Sequence, residues 1–472
     1  MSATTSDHPS LRPVRAALWF GFFNAMTWQV ALGTPMVMLA ERLGASAFAV
    51  GTAYSFVFLL TPVQVVCTSL LPKYGCKRMM LSGWGARSLF LLPVIWLAWL
   101  APATGAAWHV AVFIGSLFLF TFFRSFGSAA WLPWVNALLT AENRGKYFAS
   151  DQGISGVAGV ATLLVCSASL AIMAPYRAFL LQYAFAFVGS WFAYLALTRL
   201  PDVPRPSALP LQDVLTHTPQ LLRTRGTFRQ FVWVSLLQGA ATAAIPPFCA
   251  YYLRVVPEAS ASRIVAYTLI QYVGVITGAV AIRNRVDRSG ARPFFLLSLA
   301  VYAVIAGFWL ILLRGWNAGL AGVPVVYFLV GFAASCWAAA NMKYLPMAVA
   351  PEHHTLAFSV HTAVTSLASG VATSVWGLFI RGREPGPSVD VAAFQTFFVV
   401  ALVVIVVVIL LVSRLPAAAG VRLDWSRGSL VLRPFRGFTT LATLVGPAAS
   451  PEVRTGRPPT SAVDEPGGPP RR

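Results

Sequence analysis

Apolar runs about 20 residues long, separated by short polar stretches, recur along almost the whole chain and limit what it can fold into more than any other feature. Twenty residues of helix cross roughly 30 Å, the thickness of a bilayer's hydrocarbon core. A transmembrane barrel would show short alternating strands instead. Twelve such runs are legible, the first over residues 15–40 and the last over 391–413. Composition agrees, since 57% of the 472 residues are hydrophobic and 11% are charged. The mean hydropathy of +0.70 is far too apolar for a soluble protein of ordinary surface composition. The chain reads as an all-α polytopic membrane protein.

The first run follows a short basic leader and is too long for a cleaved signal peptide, so it is expected to remain as a helix. A net charge of +20 could suggest nucleic acid, but the basic residues are spread between the runs and gathered on no soluble domain. They report topology instead. With the N-terminus in the cytoplasm, the cytoplasmic segments carry more than twice as many Lys and Arg as the outer loops, which hold Arg42, Arg177, Arg254, Arg263, Arg314, Arg381 and Arg383. The expectation is a multi-pass protein of the cell (inner) membrane, both termini cytoplasmic, with the lipid bilayer and no nucleic acid as its partner. Five scattered cysteines, Cys67, Cys76, Cys166, Cys249 and Cys336, form no CxxC and indicate neither a disulfide framework nor a metal site.

The longest polar interruption before the tail, "PDVPRPSALPLQDVLTHTPQLLRTRGTFRQ" from Pro201 to Gln230, divides the runs six and six. The expected organisation is a cytoplasmic leader (1–14), a six-helix bundle (15–200), a cytoplasmic linker (201–228), a second six-helix bundle (229–414) and a cytoplasmic, largely disordered tail (415–472). The halves share marks at similar offsets. "KYGCKR" (Lys73 to Arg78) pairs with "RSGARP" (Arg288 to Pro293), "AENRGKYF" (Ala141 to Phe148) with "PEHHTLAF" (Pro351 to Phe358), and Pro35 with Pro246.

Two six-helix halves, a linker and a glycine-centred basic turn after spans two and eight resemble the major facilitator superfamily over residues 15–414. The second turn, "DRSGAR" with Asp287, Arg288, Gly290 and Arg292, is close to that superfamily's D-R-x-G-R-[RK] loop. The first, with Lys73, Gly75 and Arg78, has Pro72 where the superfamily has Asp. Glu142, Arg144 and Gly145 resemble its loop after helix four. The resemblance implies two bundles working by alternating access, these loops as gating elements, a monomer, and a subfamily that is not identified. It implies secondary active or facilitative transport of a small solute, as a permease. The Gly-Pro element of the drug/proton antiporters is missing from helix five, which has Gly153, Gly156 and Gly159 without a proline.

Arg124 is the residue that raises a chemical question. It sits inside "FLFTFFRSFGSAAW", some 20 Å of helix from either end of its run, too far for its side chain to reach water. An unpaired arginine at that depth costs roughly 3 to over 10 kcal/mol, so it must face the bundle interior or an aqueous cavity. "RSFGSAA" resembles, in shortened form and without its Gln, the fourth-helix R-x-x-Q-G-x-G-A-A element of proton-coupled facilitators. Two uses stay open: contact with substrate or coupling ion, or a structural contact to backbone carbonyls or a helix end. The acidic residues lie almost wholly in loops and the tail, with Glu41 and Asp151 at span ends, which leaves Arg124 room for an anionic ligand.

In the superfamily the cavity is lined by helices one, four, seven and ten, and the polar candidates there are Asn24, Thr27, Gln29, Arg124, Gln238 and Asn341, with Gln271 in helix eight behind them. Each serves equally well to tie two helices together. His361 is the titratable candidate for coupling to a proton or another ion, its other reading being a satisfied polar contact. Arg87 and Lys343 read as cations reaching back to the cytoplasmic face, and Trp28, Trp131 and Trp134 as interface anchors or lipid contacts, with stacking on a ligand as their other use. No P-loop lysine, metal-spaced His cluster or nucleophile elbow is present, so no enzyme activity, cofactor or metal is expected. The expected function is transport of a small polar solute, an anionic one where Arg124 binds it. The alternative is a facilitator-like membrane receptor or assembly factor that does not transport, motivated by Pro72 and the missing central carboxylate.

Overall fold

The computed structural model describes residues 12–100, 107–139, 141–205, 223, 226–282, 285–315, 317–349, 354–381 and 391–416. The leader before residue 12, most of the linker and the tail beyond 416 lie outside these residues, as do the side chains of Glu142, Arg144, Asp287 and Arg288. Among the described residues every regular element is helical. Twelve long helices follow one another: α1 (Arg12–Ala31, resuming as Thr34–Arg42), α2 (Ala47–Tyr74), α3 (Cys76–Leu100), α4 (Trp108–Leu138), α5 (Ala141–Ile172), α6 (Pro175–Thr198), α7 (Thr227–Val255), α8 (Ala261–Ile282), α9 (Arg292–Leu312), α10 (Val323–Met347), α11 (His354–Arg381) and α12 (Val391–Arg414).

The eleven helices α2 to α12 are long and apolar enough to cross a membrane. α1 packs against α5 and α6 inside the bundle, and its polar Asn24, Thr27 and Gln29 belong to that interior position. Within the first half α3 also packs on α4 and α6; in the second, α8 packs on α10, α9 on α10 and α12, and α7 on α11 and α12. The halves meet where α2 lies along α11 and α5 along α8.

The repeat that the glycine turns mark in sequence is visible in atoms as well. Gly75 and Gly290 both take φ 76°, the left-handed region that admits glycine without strain. Two residues on, Lys77 Nζ donates to the carbonyls of Thr198 (3.0 Å) and Leu200 (2.7 Å) at the end of α6, and Arg292 donates to Ser413 O near the end of α12. Trp134 Nε1 donates to Pro201 O at 3.0 Å and the Tyr344 hydroxyl to Pro416 O at 3.4 Å. The acceptors lie in matching Arg-Leu-Pro ends, "TRLP" and "SRLP". In each half a cation therefore satisfies carbonyls that the last helix leaves without an intrahelical partner. α1 and α7 break at corresponding points as well, each resuming with a proline, Pro35 or Pro246, in the first turn of its second segment.

Among the described residues, one ion pair and several hydrogen bonds join the halves away from the ends that carry residues 12 and 416. Glu41 and Arg254 form an ion pair of 2.9 Å between the ends of α1 and α7. Thr34 and Thr268 hydroxyls lie 2.6 Å apart, Gln29 donates to the Tyr272 hydroxyl, Ser262 Oγ donates to Ser167 O at 2.7 Å, and Ser374 donates to Ser55 at 3.0 Å. These contacts tie the two halves together at the far end of the described helices.

Candidate functional site

A cavity of about 260 Å³ lies in the first half, on the side that carries residues 12 and 416. α1 contributes Phe20, Gly21 and Asn24, and α4 contributes Arg124, Ser128, Trp131 and Leu132. Asp151 and Ser155 face in from α5, with Gln64 of α2 and Trp84 of α3. Asp151 and Ser155 are four residues apart and so share one face of their helix.

Arg124 lies over the Trp28 ring, its guanidinium carbon 4.2 Å from the ring centroid. A cation over an indole face is stabilised by the ring quadrupole, and the fork of N–H donors remains available. No hydrogen bond or ion pair joins Arg124 to any described residue. Of the two settings the sequence left open, the bundle interior or an aqueous cavity, the fold sets it at a cavity wall.

Arg87 corrects a sequence expectation. It is 1% exposed and does not reach back to the membrane face. Its guanidinium lies 4.4 Å from the Trp84 ring and 5.1 Å from the Phe120 ring, and its Nη2 donates to Asn24 Oδ1 at 2.9 Å. Its Nε has no hydrogen-bond partner among the described residues. The side chain points into the bundle, which turns a long flexible cation into a buried charge close enough to Arg124 for the two to repel.

Asp151, read from sequence as a span-end residue, lines the same cavity as Arg124. α5 is 32 residues long, about 48 Å, so a residue near the sequence boundary of the apolar run still lies well within the helix. Gly21 makes room for it, because a Cβ at that position would overlap the Asp151 carboxylate. Ser155 Oγ donates to Gly21 O at 3.4 Å. The signal available in sequence was the pair of facing patterns, Gly21 with Asn24 and Asp151 with Ser155, which only the α1–α5 contact makes meaningful.

The other candidates are held elsewhere. Thr27 is fully buried and its hydroxyl bonds to Phe23 O (3.1 Å) and Ala186 O (3.0 Å), tying α1 to α6. Gln29 is part of the closed contact to α8. Gln238 donates to Thr242 Oγ1 within α7 at 2.9 Å. Gln271 borders a void of about 10 Å³ with Pro246, Trp309 and Tyr327, and Asn341 Oδ1 is buried without a partner. His361 is 4% exposed, its ring parallel to Phe231 at 5.2 Å, with Nε2 unpaired. Of the loop residues, Lys73 lies over Tyr74, Arg78 is exposed, and Gly75, Gly290 and Arg292 take part in the turns described above. Trp28 and Trp131 border the site, and Trp134 is fully buried, which removes the interface-anchor reading for Trp134.

No known-family profile and no curated protein matches the chain by sequence. Solved structures match along nearly its whole length. A mutant of the nucleoside transporter NupG superposes with a TM-score of 0.66 at 13% identity, covering 85% of this chain and 98% of that one. The D-xylose-proton symporter gives 0.66 at 15% identity, with 88% and 99% covered. The peptide transporter POT gives 0.63 at 12%, with 88% and 96% covered. The chain has the major facilitator fold. At these identities the likeness concerns the fold, and the expected architecture of twelve helices in two bundles holds.

Proposed function

We propose that this protein moves a small polar solute bearing an anionic group across the membrane by alternating access between a bundle at 15–200 and one at 229–414, with the solute held at Arg124 and Asn24. The observation that carries the reading is a guanidinium at a cavity wall with no acceptor among the described residues. Buried cations are retained when paired or when they bind, and Arg124 has no protein pair. The Glu41–Arg254 ion pair between the halves, opposite the cavity, supports a state open on the side of residues 12 and 416. A coupling ion such as a proton, both termini in the cytoplasm of a cell with the protein in its inner membrane, and a monomeric state belong to the same reading. His361 remains the proposed coupling residue from the second half. Asn341, Gln271, Gln238, Gln29 and Thr27 are left as supporting candidates through their helix contacts.

The test is ligand-dependent thermal stabilisation of the detergent-purified protein and of Arg124→Ala against organic anions, sugars, amino acids and organic cations, followed by flux into liposomes. A compound with an anionic group should stabilise the wild type and not the variant, and should be transported. Equal stabilisation of both by neutral or cationic compounds would sink the reading. Tight association with another protein without flux would favour a receptor or assembly factor.

A further inference from the structure

The polar groups of the cavity are sorted by sign along α1. Arg87 has only donors, so the Asn24 atom facing it must be the oxygen, and the amide nitrogen is left for the cavity. That nitrogen has no protein acceptor among the described residues. Arg124 adds its own donors at the level of Trp28. The opposite sign stands at the level of Gly21, where the Asp151 carboxylate presses on α1 and forms no ion pair with a described residue. Seven residues of helix separate Gly21 from Trp28, at most about 10 Å along the axis, and the Trp28 side chain leans back toward Asn24.

An acidic and a basic side chain therefore share one cavity without forming an ion pair with each other. A lone anion at Arg124 would bring its charge toward Asp151, and a lone cation at Asp151 would face two guanidiniums. A solute with both charges a few bonds apart meets a charge-assisted partner at each end. We propose that the solute is a small zwitterion of the amino-acid class, its carboxylate on Arg124 and Asn24 and its ammonium on Asp151. Phe20, Trp84 and Trp131 offer the apolar wall for its carbon skeleton. This rests on the reading of the cavity as the solute site.

The experiment uses matched probes on the full-length protein: glycine, β-alanine and 4-aminobutanoate, the corresponding deaminated carboxylates, and the corresponding amino amides, each titrated by thermal stabilisation. The wild type should respond to at least one zwitterion at concentrations about tenfold lower than to either singly charged counterpart. Asp151→Asn should lose that preference while keeping its response to the carboxylate, and Asp151→Glu should retain it, which separates lost recognition from lost folding. An unchanged zwitterion-to-carboxylate ratio in Asp151→Asn overturns the proposal. So does binding of carboxylates alone by the wild type, with Arg124→Ala abolishing it; the solute-site reading would then stand and Asp151 would serve another end, such as carrying a proton. If no probe binds and Arg124→Ala changes nothing, both readings fall.

Discussion

A charge inside a bundle of phenylalanine and tryptophan is tolerated in two different ways by two arginines of this molecule. Arg124 keeps its donors toward a cavity, whereas Arg87 is enclosed by aromatic rings and spends its one side-chain hydrogen bond on orienting Asn24. The difference has a measurable consequence. Arg87→Leu removes a buried charge whose Nε is unpartnered, so the unliganded protein should keep its thermal midpoint or gain slightly. Ligand response should nevertheless weaken about tenfold, because Asn24 is no longer fixed with its nitrogen toward the cavity and a nearby positive charge is gone. A drop in unliganded stability with unchanged ligand response would show that Arg87 is there to hold the helices. From sequence, Arg124 announces itself by depth alone; Arg87, nearer the end of its run, does not, because whether a long side chain turns inward or outward depends on neighbours from other helices.

At the level of helices, two features are specific enough to test. Gly83 and Gly127 meet where α3 crosses α4, and a Cβ on Gly83 would lie 2.7 Å from Gly127 Cα and 2.8 Å from Phe123 O. These are backbone atoms that cannot swing aside, so Gly83→Ala should destabilise the protein by about 1–3 kcal/mol through forced separation of the two helices. Thermal unfolding in detergent reads this directly, and no change would mean the crossing is looser than described. The small residues after Arg124 suggested such a close approach from sequence, but the partner glycine on α3 could not be chosen without the fold. Lys77 is the second feature. Lys77→Ala leaves the Thr198 and Leu200 carbonyls uncapped and should lower stability by about 1 kcal/mol, with Lys77→Arg largely restoring it. The sequence repeat marked the glycine turns, whereas the carbonyls they serve lie more than a hundred residues away.

For the molecule as a whole, the contacts between halves fix which face is shut. Glu41–Arg254 is part-exposed and worth about 0.2–1 kcal/mol, small against a fold but enough to shift a two-state equilibrium up to about fivefold. Glu41→Gln should therefore raise the population open at the far end, seen as longer spin-label distances between the ends of α1 and α7. Exchange of the two charges, Glu41→Arg with Arg254→Glu, should restore the wild-type distribution. An unchanged distribution in Glu41→Gln would mean that the hydroxyl pairs Thr34–Thr268 and Ser55–Ser374 and the helix packing carry the closure alone.

Local properties were determined by the sequence itself. Apolar runs of bilayer length, the six-and-six division, the glycine turns and the depth of Arg124 all follow from residue type and spacing, because burying a backbone in lipid leaves a chain few choices beyond helix. Tertiary structure alone decided the site. Asp151 becomes a cavity residue because Gly21 admits it, Arg87 becomes a buried orienting charge because Asn24, Trp84 and Phe120 surround it, and Thr27 becomes a tie because Ala186 O lies within reach. Each outcome depends on which helix face meets which, a relation between residues far apart in the chain that periodicity along a single helix does not encode.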